Sequence, residues 1–192
     1  MKNSFIFLTV IGSIVAIAFF VYFGAYNGLI KAEEQVSTQW NIVENQYQRR
    51  VSLVSILVDT VKSYTEQEQN SLEGVIEARV KAMQVIIDPT FLNEHSMAQF
   101  LQAQTELESA ISRLLVSVEV YSDLKASQNF LNLQMQLEKM ENSIVMECNR
   151  FDEASKEYNR LIHAFPGNII ANMENYIRKP YFNSQKEKNK AL

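Results

Sequence analysis

The chain has a single cysteine, Cys148, which leaves no internal disulfide framework and no multi-cysteine zinc site. Three prolines and five glycines in 192 residues are too few for collagen, a glycine-rich linker or a turn-dense β-sandwich. Basic residues are not in excess. Eighteen Lys and Arg against 22 Asp and Glu give a net charge of -4 and a pI of about 5.3, which argues against a surface built for nucleic acid. Histidine is limited to His95 and His163, and the residues three before them are Leu92 and Arg160. The Glu-x-x-His pairs of a di-metal helical bundle are therefore absent. Phosphate-binding, dinucleotide-binding, nucleophile-elbow and His-x-x-x-His patterns are missing too, so no metal and no cofactor is expected. What the chain does have is apolar content: 47% hydrophobic with 21% charged residues excludes a wholly disordered polymer.

Much of that content is concentrated at the N-terminus. From Asn3 to Ile30 no residue is charged, and residues 5–26 read FIFLTVIGSIVAIAFFVYFGAY. Crossing a hydrocarbon core of about 30 Å takes about 20 such residues in a helix. Phe19, Phe20, Tyr22, Phe23 and Tyr26 crowd the C-terminal end, where an interfacial aromatic belt would sit. Ala16-Ile17-Ala18 has the letters of a signal-peptide cleavage site, but Phe19–Phe23 continue the apolar run directly after it, and no lipoprotein cysteine follows. Residues 1–27 are read as an uncleaved anchor contacting membrane lipid through 5–26. Lys2 and the free amine on one side nearly balance Lys31 and the later Arg49 and Arg50 on the other, so positive-inside bias leaves orientation open.

The remainder is predicted to be helical almost throughout. Val36, Trp40, Val43, Tyr47, Val51, Val54, Val58 and Val61, then Leu72, Val75, Ala82 and Ile86, follow one another mostly at steps of three or four. This pattern predicts one long helix to about residue 87, with a bend possible in the polar stretch 63–71, ended by Pro89. A second helix is expected over 96–121, carrying Phe100, Leu107, Ile111, Leu114 and Val118. A third, over 127–165, carries Phe130, Leu133, Leu137, Met140, Ile144, Cys148, Phe151, Tyr158, Ile162 and Phe165, with Ser122 or Asp123 as its cap and Pro166-Gly167 as its stop. A short closing helix over 169–177 precedes Pro180. The fold class is therefore all-α: a transmembrane helix followed by an elongated antiparallel helical bundle over 28–182, with a flexible basic tail at 183–192. An open coiled coil that dimerises is the alternative, because the stripes run near heptad spacing.

Candidate sites are few. One of the adjacent Arg49 and Arg50 must lie close to the apolar stripe and needs a carboxylate, for which Glu119 or Asp123 is the expected partner. Cys148 falls on a stripe and reads as packing, His163 as a donor near a helix C-terminus, and His95 as a solvated loop residue. The segment from Arg178 onward holds Arg178, Lys179, Lys186, Lys188 and Lys190 against Glu187. It is read either as a solvated tail or as a contact for anionic headgroups.

An ordered set of short motifs then carries a resemblance. Tyr26-Asn27-Gly28-Leu29 follows the anchor. Gln48-Arg49-Arg50, Leu57-Val58, Thr60-Val61-Lys62 and Glu77-Ala78-Arg79 come next. Leu107-Glu108-Ser109-Ala110-Ile111, Tyr121-Ser122-Asp123-Leu124-Lys125-Ala126, Glu141-Asn142, Tyr158-Asn159, Phe165-Pro166-Gly167-Asn168 and Pro180-Tyr181-Phe182 complete it. From Tyr26 to Phe182 the chain resembles the LemA family of bacterial membrane proteins. It departs from the family pattern at Ser52, Ser55 and Ile56, where Asp, Pro and Asn are usual, at Ser122 for Pro, and at Phe151-Asp152 for Tyr-Asn.

The resemblance implies a single-pass protein of the bacterial inner membrane whose molecular activity is not established, with one branch active in magnetosome membrane formation. The expectation is a non-enzymatic scaffold or adaptor. Its candidate interaction residues are Arg49, Arg50, Tyr121, Asp123, Lys125, Tyr158, Asn159, Phe165 and Pro166, and its partner is an unknown protein or a second copy. Membrane shaping by the anchor, closing helix and basic tail is one alternative. A carboxylate hydrolase using Glu108, Glu119 and Asp123 is another.

Overall fold

The computed structural model describes residues 2–65 and 67–182, with side chains from residue 7 onward. The basic tail expected at 183–192 lies outside the described residues. Six α-helices account for nearly all of the described chain: α1 (Lys2–Lys62), α2 (Gln69–Gln84), α3 (Glu94–Ser117), α4 (Ser122–Ala126), α5 (Gln128–His163) and α6 (Gly167–Glu174). No strand occurs among the described residues.

Helix α1 runs unbroken for 61 residues, about 90 Å at 1.5 Å per residue. Its first part is bare: from Phe7 to Phe23 every large apolar side chain is exposed, Phe20 at 73% and Phe7 at 69%. From Leu29 the same helix becomes the wall of a core, burying Leu29, Val36, Trp40, Val43, Tyr47, Val54, Leu57 and Val61. No proline stands in residues 2–62, and a helix-interior proline is what would remove a backbone bond and distort the helix.

The single long helix expected to residue 87 is corrected by the structure. Helix α1 stops at Lys62, and the chain reverses so that α2 packs back against α1 and pairs with α3. The reversal is built from polar side chains rather than Pro or Gly. Tyr64 N donates to Val61 O (3.0 Å), and Gln67 N donates to Thr65 Oγ1 (3.1 Å). Such local bonds give the backbone an alternative to the helical ladder where no apolar stripe rewards continuing. The bundle therefore has four long helices running away from the apolar N-terminal segment, back, away and back, with α5 lying along α1.

At the anchor end, Asp88 Oδ1 accepts from Thr90 N (2.9 Å), and Asn93 starts α3 with a capping box. Asn93 Oδ1 accepts from Ser96 N (3.0 Å), while Ser96 Oγ accepts from Asn93 N (3.0 Å). The expected cap at Ser122 or Asp123 does not form. Both lie inside α4, and α5 starts at Gln128 after Ser127, whose side chain makes no cap. Phe165, expected on the buried face of α5, is 78% exposed because α5 has already ended at His163.

The core is in two parts. The anchor-proximal cluster joins Leu29–Tyr47 of α1 to Phe100, Ile144, Phe151, Tyr158, Ile170 and Phe182. The distal one joins Val51–Val61 to Leu72–Ala82, Leu107–Val118, Leu124 and Phe130. The proximal cluster is an aromatic stack around Trp40, with Phe100 edge-on at 5.2 Å, Phe151 edge-on at 5.7 Å and Phe182 stacked at 6.0 Å. Each such pair adds about 0.5–1.5 kcal/mol beyond its buried area. Trp40 Nε1 donates to Ile87 O (3.0 Å), which ties the α2–α3 connection to α1.

Candidate functional site

The nine candidate residues fall at three levels of the bundle rather than in one site. At the middle level, Arg50 sits at the seam between the two core clusters and is 4% exposed. It lies three residues after Tyr47 and four before Val54, hence on the stripe, whereas Arg49 is turned about 100° away and is exposed. The Arg50 Nη1 donates to Glu141 Oε2 (3.2 Å), and Nη2 donates to Gln104 O (3.1 Å) and Gln104 Oε1 (3.0 Å). Its guanidinium also stands 5.0 Å from the Tyr47 ring centroid. The expected partner is thus corrected from Glu119 or Asp123 to Glu141. Once the chain reverses after Lys62, residue 50 is level with 104 and 141. Glu119 and Asp123 lie beyond the start of α5, at least about 20 Å of helix away.

Gln104 and Glu141 were not foreseen, yet both carry a readable signal. Each is a polar residue at a stripe position, Gln104 between Phe100 and Leu107, Glu141 between Leu137 and Ile144.

At the anchor end, Tyr158 is fully buried and Asn159 is 4% exposed. Asn159 clamps the segment after α6: Nδ2 donates to Lys179 O (2.9 Å) and Tyr181 Oη (3.0 Å), and Lys179 N donates to Asn159 Oδ1 (2.9 Å). Lys179 is itself 2% exposed, with Nζ 3.2 Å from Glu33 Oε1 and 5.5 Å from the Tyr158 ring centroid. The phenol of Tyr158 has no hydrogen-bond partner, and burial pushes its pKa up, with the nearby Glu33 carboxylate adding to the shift. Phe182 N donates to Asp152 Oδ1 (2.7 Å), and its ring enters the Trp40 stack. The reading of residues from Arg178 onward as a solvated or lipid-facing tail is therefore corrected for Lys179–Phe182, which are part of the bundle. Phe165 is exposed and Pro166 half-buried beside this clamp.

At the far end, Tyr121 Oη donates to Glu68 Oε1 (3.1 Å), joining the α1–α2 turn to the α3–α4 turn. The Ser117 hydroxyl, then those of Tyr121 and Ser71, hold the Glu68 carboxyl below its usual range. Asp123 and Lys125 are exposed. Glu108 and Glu119, with Asp123 the hydrolase candidates, are exposed as well and belong to separate elements.

Two hollows remain. A cleft of about 290 Å3 opens between α1, α2 and α3, bordered by Glu44, Arg79, Gln104, Phe100 and Met83. One oxygen of Glu44 is buried there without a partner, and burial raises its pKa. A shallower hollow of about 450 Å3 lies on the α1–α5 flank, bordered by Arg49, Leu53, Ile56, Lys139 and Met140. Among the described residues no three His, Cys, Asp or Glu side chains converge to hold a metal ion. Cys148 is buried, with Sγ 4.0 Å from the Tyr47 hydroxyl. Arg150 turns instead to Glu147 (2.8 Å).

Comparison with known proteins reaches the same segments. The model of the LemA family matches residues 39–192. A similar protein, Protein LemA of Metamycoplasma hominis, is 22% identical over 157 residues, covering 82% of this chain and 68% of that one.

Proposed function

The chain belongs to the LemA family, and from that premise we propose that it is a single-pass scaffold or adaptor of the bacterial inner membrane with no catalytic centre of its own. The observation that carries the reading is the continuity of α1. One helix supplies both an apolar segment long enough to cross a bilayer and the central stripe of the bundle core. Such a helix has no hinge between anchor and bundle, so the bundle stands at a set distance and rotation from the membrane. That geometry suits presentation of a surface to a partner.

The buried polar groups support the same reading. Arg50 faces Gln104 at the middle level and Asn159 holds the Lys179 backbone at one end, so these groups tie segments of the bundle together, and the exposed carboxylates are dispersed. The surface offered to a partner is the α1–α5 flank around Arg49, Leu53 and Ile56, where a cation borders apolar side chains. The partner is a second protein or a second copy of this chain.

A photo-activated cross-linker placed at Ile56, which is 51% exposed, tests this in membranes. The expected result is a discrete adduct, with another protein or with itself, that is lost when Arg49→Glu is introduced. Absence of any adduct, together with substrate turnover by purified protein that Glu119→Gln abolishes, would replace this reading with the hydrolase one.

A further inference from the structure

Phe165, Ile169, Met173 and Ile177 recur at every fourth position and are 78%, 49%, 66% and 52% exposed. Ile169 and Met173 lie one turn apart on α6, Phe165 precedes the helix across Pro166, and Ile177 follows the left-handed turn at Asn175. The opposite face of α6 is fully engaged: Ile170 and Ala171 are buried in the same cluster as Leu29 and Ala32, and Ala25, Tyr26 and Tyr176 pack against that cluster. Four large apolar side chains left in water within one short stretch are unfavourable, and the first question is where on the molecule this apolar stripe lies.

Its position answers that question. Residues 5–26 span about 33 Å as a helix, close to the roughly 30 Å of a hydrocarbon core, so Tyr26 marks the edge of that core. Leu29 is one helical turn, about 5 Å, further on. Because α6 packs against α1 at this turn, it sits at the depth of the lipid headgroups. The stacked pair Tyr22 and Tyr26, 6.3 Å apart, stands at the same depth, where aromatic belts collect. Arg178, also exposed, follows the stripe immediately and is suited to phosphate groups.

We infer that α6, with Phe165 and Ile177, is an interfacial helix that inserts its apolar face into the headgroup layer of the bilayer crossed by α1. It acts as a second foothold. A single spanning helix sets the bundle's distance from the bilayer but leaves it free to tilt, and a second contact beside it limits that tilt. The inference rests on the reading of residues 5–26 as a membrane span.

The test uses the full chain in vesicles, with an environment-sensitive fluorophore on a single introduced cysteine: Ile14→Cys in the anchor, Met173→Cys on α6, or Met135→Cys at the far end of the bundle. All three positions are exposed, at 61%, 66% and 49%, and Cys148 is buried, so the unsubstituted chain serves as the blank. Lipids brominated at shallow or deep acyl positions act as quenchers. The label at 173 is expected to lose roughly half its emission to shallow bromines, as for a face buried about 5–10 Å. The label at 14 should respond to deep bromines, and the label at 135 to neither. Quenching at 14 without quenching at 173 overturns the interfacial helix and leaves the anchor standing, and a label at 173 shielded from water but untouched by bromine assigns the stripe to a protein contact. Quenching at 135 as well means the bundle lies flat, which also overturns it. A label at 14 that meets no bromine overturns the span on which the inference depends.

Discussion

Arg50→Ala is expected to destabilise the bundle by about 3–5 kcal/mol, the sum of what its buried guanidinium gives to the acceptors and ring around it. The structure allows that figure to be divided. Glu141 is 43% exposed and regains hydration when the cation leaves, so its share is close to the 0–1 kcal/mol of a surface pair. The larger loss is at Gln104, which is 4% exposed and whose Oε1 and backbone carbonyl both accept from Nη2. Leaving buried acceptors without a donor costs about 1–3 kcal/mol each. The backbone carbonyl falls at the low end, since it sits inside α3 and retains a helical acceptor role. Loss of the cation over Tyr47 removes about 0.5–1 kcal/mol more. Arg50→Met keeps most of the packing volume and is expected to cost less than Ala. Glu141→Gln keeps an acceptor and should cost about 1 kcal/mol or less.

The assay is guanidinium denaturation of the detergent-solubilised full chain. Emission from Trp40, the single tryptophan and fully buried, follows the core without interference from the anchor helix. The order expected is Ala worst, Met next and Gln mildest. If Arg50→Ala costs no more than Glu141→Gln, the seam is not held by Arg50 and the argument is wrong. The same experiment bears on function. Arg49→Glu should change stability by no more than about 0.5 kcal/mol, as for an exposed site, so only Arg49 is a clean probe of a partner surface.

Asn159→Ala removes three hydrogen bonds to the Lys179–Tyr181 segment and is expected to cost about 2–4 kcal/mol; amide exchange at Lys179 should accelerate by orders of magnitude while that in the distal core is unchanged. Gly167→Ala places a Cβ against the Leu161 carbonyl oxygen, so the turn from α5 to α6 must open, at a cost of about 1–3 kcal/mol read from the Trp40 transition. The Glu44 carboxyl has its pKa raised by burial, so the folded chain binds that proton more tightly than the unfolded one. Stability should therefore fall as pH rises from the ordinary carboxylate range through the folded-state pKa, and Glu44→Gln should remove that slope and stabilise the protein at neutral pH. A Glu44→Gln variant less stable than the parent at pH 7 would mean that the ionised carboxylate has an attractive partner.

Apolar periodicity identifies a buried face and says nothing of chain direction. Positions 36–61 and 72–86 show steps of three and four whether the helix continues or folds back, because both α1 and α2 must bury a stripe. That is why the apolar N-terminal helix and the cores of α3 and α5 were legible, while the reversal after Lys62 was not. It lacks Pro and Gly and reads as a solvated stretch of helix. The consequence propagates. With α1 extended to 87, Arg50 is set against the α3–α4 end and Glu119 or Asp123 is its natural partner; with the reversal in place, Glu141 and Gln104 come level with it.

The distinguishing clue is polar residues that interrupt apolar stripes. Arg50, Gln104 and Glu141 each do so, and in an antiparallel bundle three such positions satisfy one another only if they share a level, which requires the chain to turn about a dozen residues after Arg50. Segment charge misleads in a similar way at the other end. Lys179 adds to the basic total after Arg178, but Pro180-Tyr181-Phe182 beside it is an apolar group that a solvated tail has no reason to carry. Burial of Phe182 against Trp40 and Phe151 draws Lys179 inward, and Glu33 with the Tyr158 ring makes that burial tolerable.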